Sequence, residues 1–456
     1  MIGFRNTAAS WLAIASLVFY GWSDPLNLIP LLLISIVCNY LIGLILIKAR
    51  SYRVLWIGVC FNLFLLGFFK YFIFIYSIVS TISESTSVNF QIDLPIGISF
   101  FTFTQIAFLV DAYRGETRET HPLHYLLFVT YFPHLIEGPI LHHKEMMPQF
   151  ARLEIYTPSL QNISIGLSWF SIGLFKKSII ADSISIFVGP VFNAGATGSP
   201  LLLSDSWIGA IAYTFQIYFD FSGYSDMAFG LAAMMGIRFP FNFSSPYKST
   251  SIIEFWRRWH ITLSRFLRDY LYFSLGGNRK GHVRRHINLL ITMVLGGLWH
   301  GASWNFVVWG IIHGLALLMN HLWRDFVERW KISLPPVLGW LFTGLVVVIA
   351  WVPFRADTLV ATTQIWRSMF AMTEFGDTIP LSVIASPVRA WAMILALVAF
   401  STGLPNTQEL MAAYDQQSRL RWQPTVGWAI ALGMVLALAL TNVGIQTASE
   451  FLYFRF

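Results

Sequence analysis

Charge is scarce in this sequence. Only 12% of its 456 residues are Asp, Glu, Lys or Arg, against roughly 25% in soluble domains, so a water-soluble globule is excluded as the frame of the chain. Cysteine is scarcer still. Cys38 and Cys60 both stand in apolar surroundings and make neither a C-x-x-C pair nor a disulfide framework, which removes redox chemistry and thiolate metal centres. There is no H-E-x-x-H helix for zinc and no G-x-S-x-G nucleophile elbow. No internal repeat or low-complexity tract organises the chain, and no nucleic-acid partner is expected. What is present is apolar: 56% hydrophobic residues and a mean hydropathy of +0.61. Runs of about 20 such residues, enough to cross a bilayer, recur from the first ten residues to Leu440. The chain reads as a polytopic membrane protein, one integral domain over residues 1–456. Its first apolar run carries no small-residue cleavage site, so that run is expected to be retained as a helix.

In chain order, two apolar segments fill residues 8–48, split by the turn-like Ser23-Asp24-Pro25. Lys48, Arg50 and Arg53 mark a cytoplasmic loop after them. A third span, 54–80, contains Lys70, which snorkels or pairs; Glu84 and Asp93 follow on the far side. The run YLLFVTYFPHLIEGPI is interrupted by Pro133, Gly138 and Pro139 and predicts a broken helix that lines something, because freed backbone groups at membrane depth need protein or water partners. Residues 158–182 read as a helix with Lys176-Lys177 near one end, and the uncharged, Gly/Pro/Ala/Ser-rich stretch 190–204 as an external loop. Asp220 and Asp226 then lie deep in the apolar run 206–236, where an ionisable group is costly and either functional or paired. Arg257 or Arg268 is the partner expected for them. Spans near 336–354, 388–404 and 425–441 look like scaffold.

The organising stretch runs from Ser249 to His313. At about 100° per residue, Phe255, Trp256, Trp259, Leu263, Phe266, Leu267 and Tyr270 fill one arc of a wheel, and Glu254, Arg257, Arg258, Arg265, Arg268 and Asp269 the opposite one. This predicts an amphipathic helix, opened by the capping box Ser251…Glu254 and supported by Glu254–Arg258 and Arg265–Asp269 pairs. His260 falls at the edge of the apolar arc. Nine Lys/Arg lie between Lys248 and Arg285 against two acids, which places the region in the cytoplasm. Such a cluster serves as an orientation signal that binds anionic headgroups, or, with the turn Gly276-Gly277-Asn278-Arg279-Lys280-Gly281, as a receptor for a phosphorylated donor.

No charged residue occurs from Ile287 to Leu318. His300, flanked by Gly296-Gly297 and Gly301, is expected near mid-membrane. A neutral imidazole there can take a proton from a hydroxyl and pass it to a leaving group, as general-base acyl transfer requires; the alternative is a buried histidine bonded across helices. Trp299, Trp304 and Asn305 beside it favour a site. His313 is 13 positions on, roughly 220° around a continuous helix, so a two-histidine metal site is disfavoured.

The runs FDFSGYSDMAFG, FWRRWHITLSRFLRDYLYFSLGGNR and LGGLWHGASWNFVVWGIIHG, with YFPHLIEGPI upstream, closely resemble the membrane-bound O-acyltransferase (MBOAT) family, specifically its bacterial alginate O-acetyltransferase branch, up to about residue 355. The resemblance implies an all-α fold of about 10–12 membrane helices around a central tunnel, in the bacterial cytoplasmic membrane, with the motif-bearing core at about 94–320 and peripheral spans at 1–80 and 336–441. It implies that His300 of the LWHGASW motif is the catalytic base and that His260 occupies the family's second polar position. It further implies an acetyl-CoA donor, or another acyl thioester, entering from the cytoplasm and an extracytoplasmic acetyltransferase partner that serves a polysaccharide acceptor. On this view Arg257, Arg258, Arg268, Asn278 and Arg279 bind the donor, and Asp220, Tyr224, Asp226, Trp299 and Asn305 line the tunnel, with His134 and Glu137 as further candidates. Members of this branch carry an additional apolar segment before the stretch matching RNTAASWLAIASLVFYGW, so one N-terminal helix is expected to be missing here. D-alanyl or other acyl transfer to a cell-wall polymer is the alternative within enzymes. A secondary transporter is the alternative outside them, although it calls for paired broken helices in two related halves. A scaffold for a secretion complex predicts no effect of changing His300.

Overall fold

The computed structural model describes residues 2–22, 24–83, 92–117, 119–331, 333, 335–372, 381–411, 421–445 and 452. Among them there is no strand. Among the described residues, six helices are long and apolar enough to cross a membrane: Leu26–Ala49, Tyr52–Ile82, Leu160–Ser185, Trp304–Trp330, Pro336–Arg355 and Val426–Val443, with Asn6–Tyr20 and Pro387–Gly403 as shorter apolar helices. The protein is an all-α polytopic membrane protein. The chain packs as two compact units, Met1–Phe170 with Met227–Pro240, and Ser171–Asp226 with Phe241–Phe456.

In the first unit, Asp24 caps the helix Pro25–Ala49 by accepting from the Asn27 N–H at 3.3 Å, with Pro25 in the first turn. This is why the dipeptide punctuates the sequence; Ser23 lies outside the described residues. Asn39 and Asn62, both fully buried, exchange reciprocal carboxamide bonds of 3.2 and 2.6 Å. Without water, two amides satisfying each other fix the register of neighbouring helices. The helix Tyr52–Leu66 continues through one π turn, Gly67–Tyr71, into Phe72–Ile82, and Lys70 on that turn donates to Ser99 Oγ at 3.2 Å. Its ammonium therefore pairs, as one of the two sequence readings required. Glu84 lies outside the described residues.

The expected broken helix is present. Pro122–Thr130 stops at Tyr131 (φ −56°, ψ 113°), and a four-residue turn of helix, Phe132–Leu135, follows. The Phe132 N–H freed by the break is taken by Ser16 Oγ at 3.2 Å. His134 and Glu137 are both buried here.

The second unit contains a π turn, Lys176–Ala181, facing the 32-residue helix Leu203–Met234. The expected pairing of Asp220 and Asp226 with arginines is corrected by this arrangement. Asp226 binds Lys176 at 2.6 Å and accepts from Thr407 Oγ1 at 2.7 Å. Asp220 binds Lys177 at 2.8 Å and accepts the Leu452 N–H at 3.1 Å. Successive lysines on the π turn thus meet acids six positions apart on the facing helix. The stretch 190–204, read as a loop, is helical over Gly189–Thr197 and ends at Gly198 in the left-handed region (φ 75°). Its Val191, Phe192 and Ala194 are buried in the core of the unit, so tertiary burial outweighs the weak propensity of a Gly/Pro-rich segment.

Candidate functional site

The stretch 251–272 is not one amphipathic helix. Ser251 caps Ile252–Arg258 by accepting from the Glu254 N–H at 3.2 Å. Glu254 reaches back to the Thr250 N–H at 2.8 Å and to Arg258 at 2.8 Å. The expected cap and the first charge pair are thus in place. The helix then breaks: Trp259 is extended (φ −99°, ψ 129°) and His260 is left-handed (φ 41°, ψ 55°), before Ile261–Phe266 and the π turn Leu267–Tyr272 resume. A non-glycine residue in that region is strained by about 1–2 kcal/mol and persists only where its surroundings hold it. Here the segment 242–244 does so. The Ser244 N–H donates to the Arg258 carbonyl and the Ile261 N–H to the Asn242 carbonyl, both at 2.9 Å.

The break turns His260 into the core. It is 0% exposed, its Nδ1 lies 2.9 Å from Asn242 Oδ1, and Phe221 stands edge-on to its ring at 4.8 Å between centroids.

The charge-free run after it is a hairpin. Gly281–His300 and Trp304–Trp330 are joined by three residues, 301–303. His300 is therefore the last residue of a helix. The reason is steric. A Cβ on Gly297 would stand 2.2 Å from the Phe306 carbonyl oxygen, one on Gly310 2.5 Å from that of Met293, and one on Gly301 2.0 Å from the Phe306 ring. Glycine at these positions allows two backbones to meet almost directly, as small residues do between membrane helices.

Because the chain doubles back, the angular argument separating His300 from His313 does not apply. Both rings touch Trp309, at 5.2 and 4.7 Å between centroids. No metal-binding cluster occurs among the described residues. His313 instead receives the Trp256 indole N–H on Nδ1 at 3.3 Å.

His300 is 3% exposed and is ringed by Trp299, Trp309 and Phe354, with centroids at 5.0, 5.2 and 5.0 Å. Trp299 also contacts His260, at 6.2 Å. One indole thus touches both predicted histidines, which lie no further apart than its two centroid distances laid end to end. An imidazole in an aromatic cage is shielded from bulk water and protons, which suits a base that must act on a bound hydroxyl.

The remaining predicted residues divide. Asp220 and Asp226 are engaged by lysines, while Phe221 and Ser225 of the same helix reach His260 and Asn242. Asn305 is buried, donating to the Ala356 carbonyl and accepting from Thr362 Oγ1. It ties the hairpin to the following segment. Tyr224 is half-buried. Arg257, Arg268, Asn278 and Arg279 are exposed. Arg268 is held by both oxygens of Asp269, and Asn278 accepts from Tyr272 at 2.6 Å. Arg258 is committed to Glu254 and the Ser244 carbonyl.

Sequence reasoning missed Asn242, Trp309 and Phe354. For Asn242 the available signal was a polar residue in the apolar run FPFNF.

Residues 42–376 match the model of the membrane-bound O-acyltransferase family. The chain is 36% identical to the peptidoglycan O-acetyltransferase of Helicobacter pylori, over 98% of this chain and 91% of that protein. It is 38% identical to the probable alginate O-acetylase of Azotobacter vinelandii, over 97% and 93%. It is also 30% identical to the teichoic acid D-alanyltransferase of Bacillus subtilis, over 52% and 60%. With a family match over most of its length and relatives of these kinds, the chain belongs to the membrane-bound O-acyltransferase family and is an O-acyltransferase.

Proposed function

We propose that this enzyme moves an acetyl group from acetyl-CoA on the cytoplasmic side of the bacterial inner membrane toward an extracytoplasmic polysaccharide, in the O-acetylation of an alginate-like exopolysaccharide or a cell-wall glycan. The observation that carries the proposal is the pair of buried histidines, His300 and His260, on the shared Trp299. His300 takes the proton of the acceptor hydroxyl. The oxygen attacks the thioester carbonyl, the C–S bond breaks, and the proton passes from His300 to the departing thiolate, so that ester and free thiol are formed without net proton change. His260 assists from the other side of the indole. Arg257 and Arg279, exposed on the basic segment, meet the donor phosphates. A central tunnel passes the group across, and a partner acetyltransferase in the extracytoplasmic space delivers it to the glycan.

Radiolabelled acetyl-CoA supplied to purified protein in lipid, with the partner present, is expected to label partner or glycan. His300→Ala is expected to lower that labelling at least a hundredfold, the lower end of what general-base catalysis contributes. Equal labelling by both forms would remove His300 as the base. D-alanyl transfer is the second reading, favoured by the likeness to a teichoic acid D-alanyltransferase over half the chain. Labelling from an activated D-alanyl donor and none from acetyl-CoA would establish it.

A further inference from the structure

We infer that Asn242 is a positioning residue for His260: its carboxamide oxygen fixes the imidazole as the Nδ1–H tautomer and leaves Nε2 as a proton-accepting lone pair. The inference rests on the acyl-transfer reading for its use and on geometry for its substance. Three groups converge on one end of the Asn242 carboxamide: the Thr262 backbone N–H at 3.4 Å, Thr262 Oγ1 at 2.9 Å and His260 Nδ1 at 2.9 Å. A backbone N–H can only donate, so the atom it faces is the carbonyl oxygen and not the amide nitrogen. The other end, Nδ2, then donates to Ser225 Oγ at 3.2 Å, and a hydroxyl can accept.

An amide oxygen cannot donate. The hydrogen in its bond with His260 therefore belongs to Nδ1. A neutral imidazole carries one such hydrogen, so Nε2 bears the lone pair. That atom is fully buried and makes no hydrogen bond to any described residue. A buried acceptor without a protein partner costs about 1–3 kcal/mol and calls for an explanation, of which a place for a reacting group is one. His260 lies outside every candidate span, and burial alone pushes its imidazole down to about 3, so it is neutral at physiological pH.

The same asparagine shapes the backbone. Its carbonyl takes the Ile261 N–H at 2.9 Å, which holds the left-handed turn that aims His260 inward. Tautomer and direction are set by one residue. The assignment gives His260 a role that accepts a proton or a hydrogen bond from the acceptor hydroxyl, and excludes it as a donor to a developing oxyanion.

The test reads the tautomer directly. Full-length protein labelled with ¹⁵N-histidine, in lipid nanodiscs at pH 7, is compared with His260→Gln to assign the resonance. A pyridine-type shift at Nε2 and a pyrrole-type shift at Nδ1 are expected; a protonated Nε2 overturns the inference whether or not the protein transfers acetyl groups. In Asn242→Asp the acceptor geometry is kept and a negative charge is added. That variant is expected to protonate His260 at a higher pH than the native protein, seen both in the ¹⁵N shifts and as an acid limb in kcat. Asn242→Leu is expected to mix the tautomers and to lower kcat about a hundredfold with little change in KM. Native tautomer populations in Asn242→Leu would show Asn242 to be structural only. Nδ1–H in the native protein together with no acetyl transfer under any condition would sink the functional reading and leave the tautomer assignment standing.

Discussion

Replacing Gly297 by alanine adds one methyl group some distance along the helix from His300, yet it should cost the enzyme most of its activity. The added Cβ would sit 2.2 Å from the Phe306 carbonyl oxygen and 3.2 Å from its carbon, against an ordinary contact of 3.4–4 Å. Both atoms are backbone, so no side chain can rotate away, and the two helices of the hairpin must part by more than an ångström. Alanine gains about 1 kcal/mol of helix propensity over glycine. Overpacking in a tight contact costs about 1–3 kcal/mol, so the net effect on stability is a modest loss and the fold survives. Activity is more sensitive than stability. A displacement of about 1 Å in a catalytic group lowers rate about a hundredfold, and Phe306, the residue struck, stacks on His300 with a centroid distance of 6.5 Å. Gly297→Ala is therefore expected to lose about a hundredfold in acetyl transfer while its thermal midpoint falls by a few degrees. Gly344→Ala is the control: it lies within the membrane helix Pro336–Arg355, and nothing stands within 4 Å of its Cβ. It should keep full activity and be slightly more stable. Turnover of Gly297→Ala equal to that of Gly344→Ala, measured with the same labelled donor in the same lipid, would refute the claim that direct backbone contact sets the position of His300.

Removing one partner of a buried ion pair strands the other, at about 3–5 kcal/mol. Lys176→Met should accordingly lower the thermal midpoint of the protein sharply, and Lys176→Met with Asp226→Leu should recover much of the loss. A single mutant as stable as the native protein would show that the pair is not what holds the π turn. The Glu254 carboxylate predicts an acid-side effect. Burial works against its charge, but the Thr250 N–H and hydroxyl and the Arg258 guanidinium outweigh burial and hold its pKa below the ordinary 4.5. A depressed carboxylate pKa contributes stability that is complete above the unfolded value and lost as pH falls through the folded one. The native protein should therefore lose stability below about pH 4.5 in part through this group, and Glu254→Gln should flatten that segment of the pH–stability curve. An unchanged curve would assign the acid sensitivity elsewhere.

Membrane class, a broken helix around Pro133 and the burial of His300 were legible in the sequence because each rests on a local signal. Apolar run length gives the first, proline chemistry the second, and the third follows from the motif LWHGASW together with the absence of any charged residue from Ile287 to Leu318. The misreading of residues 251–272 has a different cause, which is the assumption of a continuous regular helix. Periodicity across residues 251–272 is consistent with one amphipathic helix, and the arginines and aromatics do lie on opposite sides over each short piece. What periodicity cannot register is a single residue in the left-handed region, since histidine at position 260 is no glycine and carries no turn signal. The determinant of that break, Asn242, lies 18 residues upstream and acts through one carbonyl and one carboxamide. The partners of Asp220 and Asp226 escaped because the lysines that bind them lie far upstream, at Lys176 and Lys177, and pairing between separate helices leaves no local pattern.

Three of the departures from regular helix lie close together: the left-handed His260, the π turn directly after Ile261–Phe266 and the three-residue turn after His300 all fall within the segment that carries the histidines. A regular helix spaces its side chains at fixed angles; here the break at Trp259–His260 is what turns the His260 ring toward Trp299. Irregular backbone is tolerated within a membrane protein only where other protein groups satisfy it, and here Asn242 and Ser244 supply the bonds that the break at Trp259–His260 removes. The strain at His260 and the glycine contacts of the hairpin are thus two parts of one device. One turns a ring inward, the other brings a second ring to meet it, and Trp299 marks the point where they converge.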